Sequence, residues 1–434
     1  MPLPDDHDRA LQTVALKVQD AAWDRRWRYF QGKHDRIWAT PKMAETFREL
    51  ADSFTENYCS VAINARVSRL EVTGWDGDTR AETVWEQGAF PQRQDVLYRW
   101  GLTYGVVYLV VQDDQIAANS PVLCYAQPDP NDWMKQAWAG KMWLDIDSGE
   151  WHASLWDETD IYRYKATGQV PYTPAETLTM YSPQGMGWVF QDAQRHGYDQ
   201  VPVVPCQPYG FQAAPLLDQV KPIQDKINKL SANKFVAAEF GAFKQRVFFT
   251  RQQLDPFDVR QQPDTAIVLD PGDSDARASV QELGQTDLTV FDHAKDKEID
   301  AFFTIAALPR HLRQNMPGHV SGEALKADES PFLEALHDHQ REFGEGMVEA
   351  MRIMGIEATP AWRDTSPRDE FRNAQTLDLL VRSGLPWQTA AQMYMGFSSE
   401  EIADAEAELE AAQGAAQDEM NMQTSAFLTN PLMG

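Results

Sequence analysis

Apolar residues in the first part of the chain recur with the period of an α-helix. Between residues 11 and 18 they fall at spacings of three and four, which places them on one helix face. A second helix is predicted over 41–54, where a proline occupies the favourable first turn. A third is predicted over 61–70, and two shorter helical pieces follow over 83–104. The N-terminal part is therefore predicted to be helical.

After residue 105 the pattern changes to short β-branched and aromatic runs separated by turn residues, which predicts an antiparallel β-region up to about residue 205. The predicted strands are 105–112, 121–126, 141–147, 150–156, 160–165, 177–181, 188–191 and 201–205. Five tryptophans fall in this region: Trp133, Trp138, Trp143, Trp151 and Trp156. A large aromatic core is the default interpretation, and a surface that stacks sugars or bases is the alternative.

From Pro215 the pattern is helical again. Apolar residues follow the 4-3-4-3 spacing of a heptad seam, at Leu216, Val220, Ile223, Ile227 and Leu230. Pro222 either begins or kinks this helix, because proline lacks the backbone donor that the helix interior requires. The seam fits an amphipathic helix of a monomer, or a helix that packs against neighbours in an oligomer.

The segment after residue 241 is predicted to hold a compact β-insert with strands at 245–250, 266–270 and 279–284. A helix over 287–307 follows and stops before Pro309.

The loop 309–319 carries Arg310 and Arg313 and no acidic residue, which is unusual in so acidic a chain. A long helix from Ser321 to Met354, with an expected kink at Pro331, comes next. The C-terminus is predicted to be helical over 367–413, with a break near 384–386.

Composition limits the function classes. The chain has 434 residues, of which 43% are hydrophobic and 24% charged, so it is globular. Lys and Arg number 39 against 65 Asp and Glu, and the resulting net charge of −26 argues against a protein that coats DNA with a basic surface. It does not argue against a protein that lets DNA pass without binding it tightly.

Targeting and redox signals are few. No apolar run approaches the roughly 20 residues of a membrane span, and the acidic start lacks a signal-peptide pattern, so nothing suggests export. Cys59, Cys124 and Cys206 are odd in number and widely spaced. They are interpreted as reduced thiols in a cytoplasmic setting.

Common enzyme motifs are absent from the sequence. It contains neither the G-x-x-x-x-G-K-[ST] phosphate loop nor the H-E-x-x-H and C-x-x-C spacings of zinc sites. We therefore predict no catalytic residue, no metal site and no cofactor. The rival hypothesis is a metal-dependent hydrolase or nuclease that uses acidic pairs such as Asp129 with Asp132 or Asp270 with Asp273. Nothing in their spacing demands a metal, and paired surface carboxylates are usually just solvated.

An ordered set of segments resembles the portal proteins of tailed bacteriophages, in particular the subgroup common in phages of actinobacteria. The strongest part covers 283–355, where the chain reads F-F-T-I-A-A-L-P-R-H-L and then S-G-E-A-L-K-A-D-E-S-P-F-L. Further matching segments are 57–70, 201–205, 224–229, 239–246 and 362–364. The resemblance covers about residues 55–410, and the loop 314–320 departs from the expected form.

The resemblance implies an α+β fold with the architecture of a portal subunit in a ring oligomer of twelve copies. The implied segments are a wing over 1–214, a first stem helix over 215–240, a clip over 241–286, a second stem helix over 287–308, a tunnel loop over 309–320, a long wing helix over 321–360, and a helical crown with C-terminal tail over 361–434. The ring would explain the heptad seam, because neighbouring subunits would supply its groove.

The resemblance also implies a function. Such a ring forms the DNA channel at one capsid vertex and conducts double-stranded DNA, without sequence specificity, during packaging and ejection. The implied partners are the terminase large subunit, the head–tail adaptor, and the major capsid and scaffold proteins. The implied location is the virion, after assembly in the bacterial cytoplasm. Another phage structural protein, an adaptor or minor head protein, is a third hypothesis, although adaptors are normally much shorter.

Candidate site residues follow from these implied segments. The tunnel-loop candidates for contact with DNA are Arg310, His311, Arg313, Gln314 and His319. The alternative is that these basic side chains cap neighbouring helix C-termini or pair with acids between subunits. The clip candidates for partner contact are Arg246, Arg251 and Arg260, and the seam residues are the candidates for packing between subunits.

Overall fold

The computed structural model divides into two compact units, residues 1–365 and 366–434. It describes residues 7–35, 55–167, 187–211, 213–242, 246–249, 267–269, 279–282, 287–313, 322–365, 379–390, 392 and 402. The helix predicted over 41–54, the strand predicted over 177–181 and most of the helix predicted over 367–413 lie outside these residues. Among the described helices, none is long and apolar enough to cross a membrane.

The helices of the described residues agree closely with the sequence pattern. They are α1 (His7–Val18), α2 (Ala21–Phe30), α3 (Tyr58–Val67), α4 (Arg80–Gln87), α5 (Phe90–Tyr104), α6 (Leu216–Ala242), α7 (Thr289–Ile305), α8 (Gly322–Ile353) and α9 (Trp387–Ala390), with a short 3-10 helix at Arg310–Leu312. The predicted break near 384–386 is confirmed, since Leu379 to Arg382 are helical and α9 begins only at Trp387. Pro331 lies inside α8 without ending it.

The strands form four small sheets. They are β1 (Val72–Gly77), β2 (Val107–Gln112), β3 (Gln115–Asn119), β4 (Cys124–Pro128), β5 (Gln136–Asp145), β6 (Glu150–Trp156), β7 (Asp160–Ala166), β8 (Trp188–Arg195), β9 (Val203–Cys206), β10 (Arg246–Phe249), β11 (Ile267–Leu269), β12 (Ser279–Glu282) and β13 (Ala358–Trp362). Their orders are β1-β13, β3-β2-β9, β4-β5-β6-β7-β8 and β11-β10-β12. The mixed α+β class is therefore confirmed.

The strands β4 to β8 form an antiparallel meander that carries its own small core. Helix α1 covers one face, where Leu11 and Val14 pack with Trp138, Trp151 and Leu155. All five side chains are buried. This burial explains why the apolar residues of α1 recur at helical spacing.

The tryptophans of this region divide into buried and exposed members. Trp138, Trp151 and Trp156 are buried, so the core interpretation is confirmed for them. Trp143 is half-buried. Trp133 is different, because 54% of its surface remains exposed.

The main core lies where α3, α5, α6, α7 and α8 meet the sheets β1-β13 and β3-β2-β9. Strands β1 and β13 pair antiparallel although 280 residues separate them, with Gly77 opposite Ala358. The sequence analysis predicted neither strand, since β1 contains two glycines and β13 a proline, all weak strand formers. Their pairing joins two distant segments that pack against α5 and α8.

The three cysteines are free and buried, as expected of reduced thiols. Burial raises the pKa of each thiol to about 12. They therefore act as small apolar side chains in the core.

Helix α8 approaches strand β9 so closely that one position of the helix admits only glycine. A Cβ atom at Gly346 would lie 2.3 Å from the Sγ atom of Cys206 and 3.5 Å from its Cα atom. Two residues earlier, a Cβ atom at Gly344 would make ordinary contacts at 3.5 Å with Pro360 and Trp362. Close packing therefore explains the glycine at 346 and does not explain the glycine at 344.

We predict that Gly346→Ala lowers the free energy of unfolding by about 1–3 kcal/mol, because overpacking outweighs the better helix propensity of alanine. Gly344→Ala, the matched control, should be neutral or stabilising by up to about 1 kcal/mol. Urea denaturation followed by circular dichroism measures both.

The clash can be tested directly with the double variant Gly346→Ala with Cys206→Ala, which removes the sulfur atom. This variant should recover most of the loss relative to Cys206→Ala alone, as expected of neighbouring sites that couple. Equal effects of Gly344→Ala and Gly346→Ala would contradict the packing argument.

Candidate functional site

Helices α6 and α7 form an antiparallel pair that covers the two predicted stem helices. Lys226 pairs with Glu298 at 3.5 Å, and Lys234, farther along α6, pairs with Asp292, earlier in α7, at 2.6 Å. The buried side chains of α6 all lie at or before Asn228, and none of those from 229 to 238 is buried. On α7 the first buried residue is Ile299. The end of the pair formed by the second half of α6 and the first half of α7 therefore lies outside the core. It is held together partly by exposed ion pairs.

The heptad seam of α6 is already packed against other helices of the same chain. Its first four residues are between 0% and 7% exposed and belong to the main core of the same chain, and Leu230 is half-buried. Helices α2, α3, α5 and α7 cover this part of α6. The expectation that Leu216, Val220, Ile223 and Ile227 are free for packing between subunits is therefore wrong. The physical reason is that distant helices of the chain, whose packing the local pattern could not indicate, already fill the groove.

A buried polar pair fixes the same stretch of α6. Gln224 and Asn228 lie one turn apart and are almost fully buried. Gln224 accepts a hydrogen bond from the backbone N–H of Tyr58 at 3.0 Å and donates to the carbonyl of Glu56 at 2.6 Å. Asn228 accepts from the N–H of Glu56 at 3.2 Å. The pair thus satisfies the backbone that enters α3, because buried polar groups need partners.

Helix α7 ends in a tight turn, which is followed directly by the basic loop. The N–H of Leu308 donates to the carbonyl of Phe303 at 2.8 Å, and the N–H of Ala307 donates to that of Thr304 at 3.2 Å. This is the Schellman arrangement, and Ala307 occupies its left-handed position with φ of +47°. Glycine normally fills that position, since an alanine Cβ is crowded there.

Arg66 of α3 supports this turn from within the core. It is 3% exposed and donates to the carbonyls of Ala306 at 2.5 Å and Ala62 at 2.9 Å. Its guanidinium lies 5.4 Å from the ring centre of Phe332, and its Nε has no partner among the described residues. Burial lowers the pKa of Arg66. The charge is stabilised by carbonyls at a helix C-terminus, where a cation is favourable.

A neutral histidine lies near this arginine. His339 of α8 is buried and donates from Nδ1 to the carbonyl of Pro208 at 2.7 Å. Burial, with the nearby Arg66 charge, lowers the pKa of His339 to about 4. Of these two buried residues near the end of α7, Arg66 therefore carries a positive charge at neutral pH and His339 does not.

The described basic residues of the loop all meet acids on α7 or α8. Arg313 pairs with Asp296 at 2.6 Å and also with Asp300. His311 lies 3.6 Å from Glu329.

Arg310 differs from the other two. Its backbone N–H donates to Asp328 at 2.6 Å, while its side chain is 76% exposed and lies 3.8 Å from the same carboxylate.

The net charge of the described loop residues and their ion-pair partners is negative. Two arginines and a histidine face four carboxylates, at Asp296, Asp300, Asp328 and Glu329. His311 and Arg313 therefore pair with acids of the same chain, whereas pairing between subunits stays a prediction. Of the described loop cations, Arg310 is the one that remains extended and exposed. Gln314 and His319 lie outside the described residues.

The predicted clip strands are confirmed. Strand β10 is central, with β11 parallel on one side and β12 antiparallel on the other, so that Val247 lies opposite both Ile267 and Gln281. Within the described part of the chain, β11 and β12 each have one edge without a partner. Arg246 begins β10, and Arg251 and Arg260 lie outside the described residues.

Comparison with known proteins decides the family. The family model described as "Phage portal protein, SPP1 Gp6-like" matches residues 68–415, which is most of the chain. The chain belongs to the phage portal protein family. The portal protein of Mycobacterium phage D29 is 25% identical over 259 residues, which cover 52% of each chain. The chain thus spans about half the length of this curated relative.

A solved structure is also similar to this chain. A chain from the virion of a native gene transfer agent particle superposes with a TM-score of 0.46 at 10% identity, covering 83% of this chain and 95% of that chain.

Portal proteins are structural virion components and not enzymes. The resemblance inferred from the sequence is therefore confirmed, and the hydrolase hypothesis loses its basis. Among the described residues, no group of three or more potential ligands could hold a metal ion. Asp270 and Asp273 lie outside the described residues.

Sequence reasoning missed the acids that neutralise the loop and the arginine beneath it. Asp296 and Asp300 stand one turn apart on α7, as residues that share one partner do, so this signal was present. Arg66 gave no signal, because an arginine near a helix end is usually exposed. Its burial depends on packing between α3, α7 and α8, which are distant in sequence.

We predict that Ala307→Gly raises the free energy of unfolding by about 0.5–1 kcal/mol, since glycine adopts the left-handed conformation without strain. Ala301→Gly in the middle of α7 is the control and should lower it by about 1 kcal/mol. Urea denaturation of both variants gives the comparison. Destabilisation by both substitutions would contradict the assigned turn.

Proposed function

We propose that this portal protein forms a ring-shaped channel at one capsid vertex, conducts double-stranded DNA during packaging and ejection, and docks the terminase large subunit and the head–tail adaptor. The observation that carries the proposal is the antiparallel α6–α7 pair. It leaves the core, joins a three-stranded sheet at its far end, and leads at its near end into the loop with Arg310. The segment assignments from wing to crown, and assembly with capsid and scaffold proteins, belong to the same proposal.

The charge of the chain suits a channel with little friction. DNA binding through counterion release scales with the number of cationic contacts, and the chain carries a net charge of −26. At the proposed tunnel loop, acids on α7 and α8 also exceed the cations. Such a surface leaves few phosphate contacts to hold the duplex.

Arg310 is the described loop residue that fits a transient phosphate contact. Its ion pair with Asp328 is exposed and long, and such pairs contribute about 0–1 kcal/mol. Exchanging the carboxylate for a passing phosphate therefore costs little. Arg313 is held by two carboxylates, is only 23% exposed at its side chain, and acts as a brace between the loop and α7.

Subunit packing along the stem falls to residues that the core leaves exposed. Val290, His293 and Lys297 are exposed at spacings of three and four, so they share one face of α7. In the proposed ring this face meets the neighbouring copy. The free edges of β11 and β12 are suited to pair between subunits, as exposed strand edges do.

The purified protein is expected to assemble into a ring. Twelve copies of the 49.2 kDa chain give a mass of about 590 kDa. Native mass spectrometry with negative-stain microscopy measures the mass and the central hole. The variant Val290→Asp with Lys297→Glu should shift the mass toward small oligomers, while Lys135→Glu, on an exposed loop of the wing, serves as the control. A stable monomer that binds a metal or cuts DNA would contradict the proposal.

The proposal separates the roles of the two loop arginines. Arg310→Gln should reduce DNA-filled particles several-fold in a complementation assay while leaving the denaturation midpoint unchanged. Arg313→Gln should lower the free energy of unfolding by about 1 kcal/mol, because it removes a brace with two carboxylates. Quantitative measurement of packaged DNA and urea denaturation give the two readouts.

Arg341→Gln is the matched control, since Arg341 is an exposed arginine of α8 that pairs with Asp338 and Glu342 far from the loop. It should change neither readout. Normal packaging by Arg310→Gln would contradict a phosphate contact at this residue.

A further inference from the structure

An open cleft lies on the wing, away from the stem and the loop. Its volume is about 470 Å³, and its floor is formed by the strands β2 and β4. One wall is the turn between β4 and β5, and the other is the turn after β9. The lining residues used below are Tyr125, Asp129, Trp133, Gln207 and Phe211.

Large apolar side chains at this cleft are exposed to solvent. Trp133 is 54% exposed, Phe211 is 37% exposed, and Met134 beside them is 63% exposed. The rings of Trp133 and Phe211 stack at 4.7 Å between centres. A stacked aromatic pair at the mouth of a cleft is typical of a surface that buries itself against a partner.

The turn that carries Trp133 is firmly built. The carboxylate of Asp129 accepts the N–H of Asn131 at 2.7 Å, and that of Asp132 accepts the N–H of Met134 at 3.2 Å. The backbone N–H of Asp129 donates to the carbonyl of Lys135 at 2.9 Å. The tryptophan is therefore presented outward by a hydrogen-bonded loop.

The opposite wall is held by a glycine turn. Gly210 has φ of +83° and donates its N–H to the carbonyl of Gln207 at 2.8 Å. Phe211 follows directly and faces Trp133. Both walls are thus positioned before any ligand arrives, which lowers the entropic cost of binding.

The cleft is also selective in charge. Among the described residues that line it, Asp129 has the one carboxylate, and none is a lysine, arginine or histidine. The hydrogen bond from Asn131 lowers the pKa of Asp129, so its carboxylate stays charged at neutral pH. An anionic group beside two aromatic faces favours a cation, which gains both a charge partner and a ring contact.

We propose that this cleft binds a segment of a partner protein in which an arginine or lysine adjoins an aromatic residue. The apolar side chain would cover Trp133 and Phe211, and the cation would reach Asp129. Nucleic acid and anionic lipid do not fit, because their phosphates would meet a carboxylate in a chain of strongly negative charge. The proposal is independent of the DNA channel, since neither the stem nor the loop contributes to the cleft.

Isothermal titration of the assembled protein with four end-blocked heptapeptides tests the proposal. Each has a glycine-serine frame around a central pair: Trp-Arg, Trp-Gln, Trp-Glu or Gly-Arg. The Trp-Arg peptide should bind at least about ten-fold tighter than the Trp-Glu and Gly-Arg peptides, as expected when both an anchor and a charge pair form.

Variants then assign the binding to the cleft. Trp133→Ala with Phe211→Ala should weaken the Trp-Arg peptide at least about ten-fold. Asp129→Asn should reduce the preference for Trp-Arg over Trp-Glu to within about two-fold while leaving Trp-Gln binding unchanged. Phe190→Ala removes an equally exposed aromatic residue of β8 and serves as the control.

Two results would overturn the proposal. The first is binding of all four peptides within two-fold of one another, or a charge preference that survives Asp129→Asn. The second is association between rings that rises with protein concentration and disappears in the Trp133→Ala, Phe211→Ala variant, because the occupant would then be a second copy of this chain. Light scattering of the same samples detects that association.

Discussion

The structure depends on how one helix divides between the core and the solvent. The first half of α6 is buried among α2, α3, α5 and α7 by its heptad seam and by the polar pair of Gln224 and Asn228. Its second half has no buried side chain among the described residues. A helix that is packed at one end can extend into solvent at the other without unfolding, because its backbone hydrogen bonds are internal. The three-stranded sheet lies between α6 and α7 along the chain.

Helix α7 is exposed in its first half and buried in its second half, and the loop begins after its buried end. Its buried residues start at Ile299, and its last turn is closed by the left-handed Ala307 and by Arg66. A buried arginine without a carboxylate is costly, and here it is offset by carbonyls at the helix end and by an aromatic face. The entry to the loop is therefore fixed by the core, whereas the loop's cations are fixed by acids on its two flanking helices.

Local pattern was sufficient for most elements of the fold. Strand β6 has the predicted bounds, and the helices α7 and α8 differ from prediction by two residues or fewer at each end. The pairing of β1 with β13 was missed, since glycine and proline weaken the local signal and only a distant partner makes the strand. The seam of α6 was recognised but given to the wrong partner, because periodicity identifies an apolar face and does not identify what covers it.

The site shows the same limit in electrostatic form. The sequence marked Arg310 and Arg313 because their loop has no acids, but charge in a protein is balanced in space and not along the chain. Asp296 and Asp300 precede the loop on α7, and Asp328 follows it on α8. Counting those partners turns a basic loop into an acidic surface with one extended arginine. In the proposed channel, the few cations left without a close partner would matter more than the total number of cations, because each tightly paired arginine must first lose its carboxylate before it can hold a phosphate.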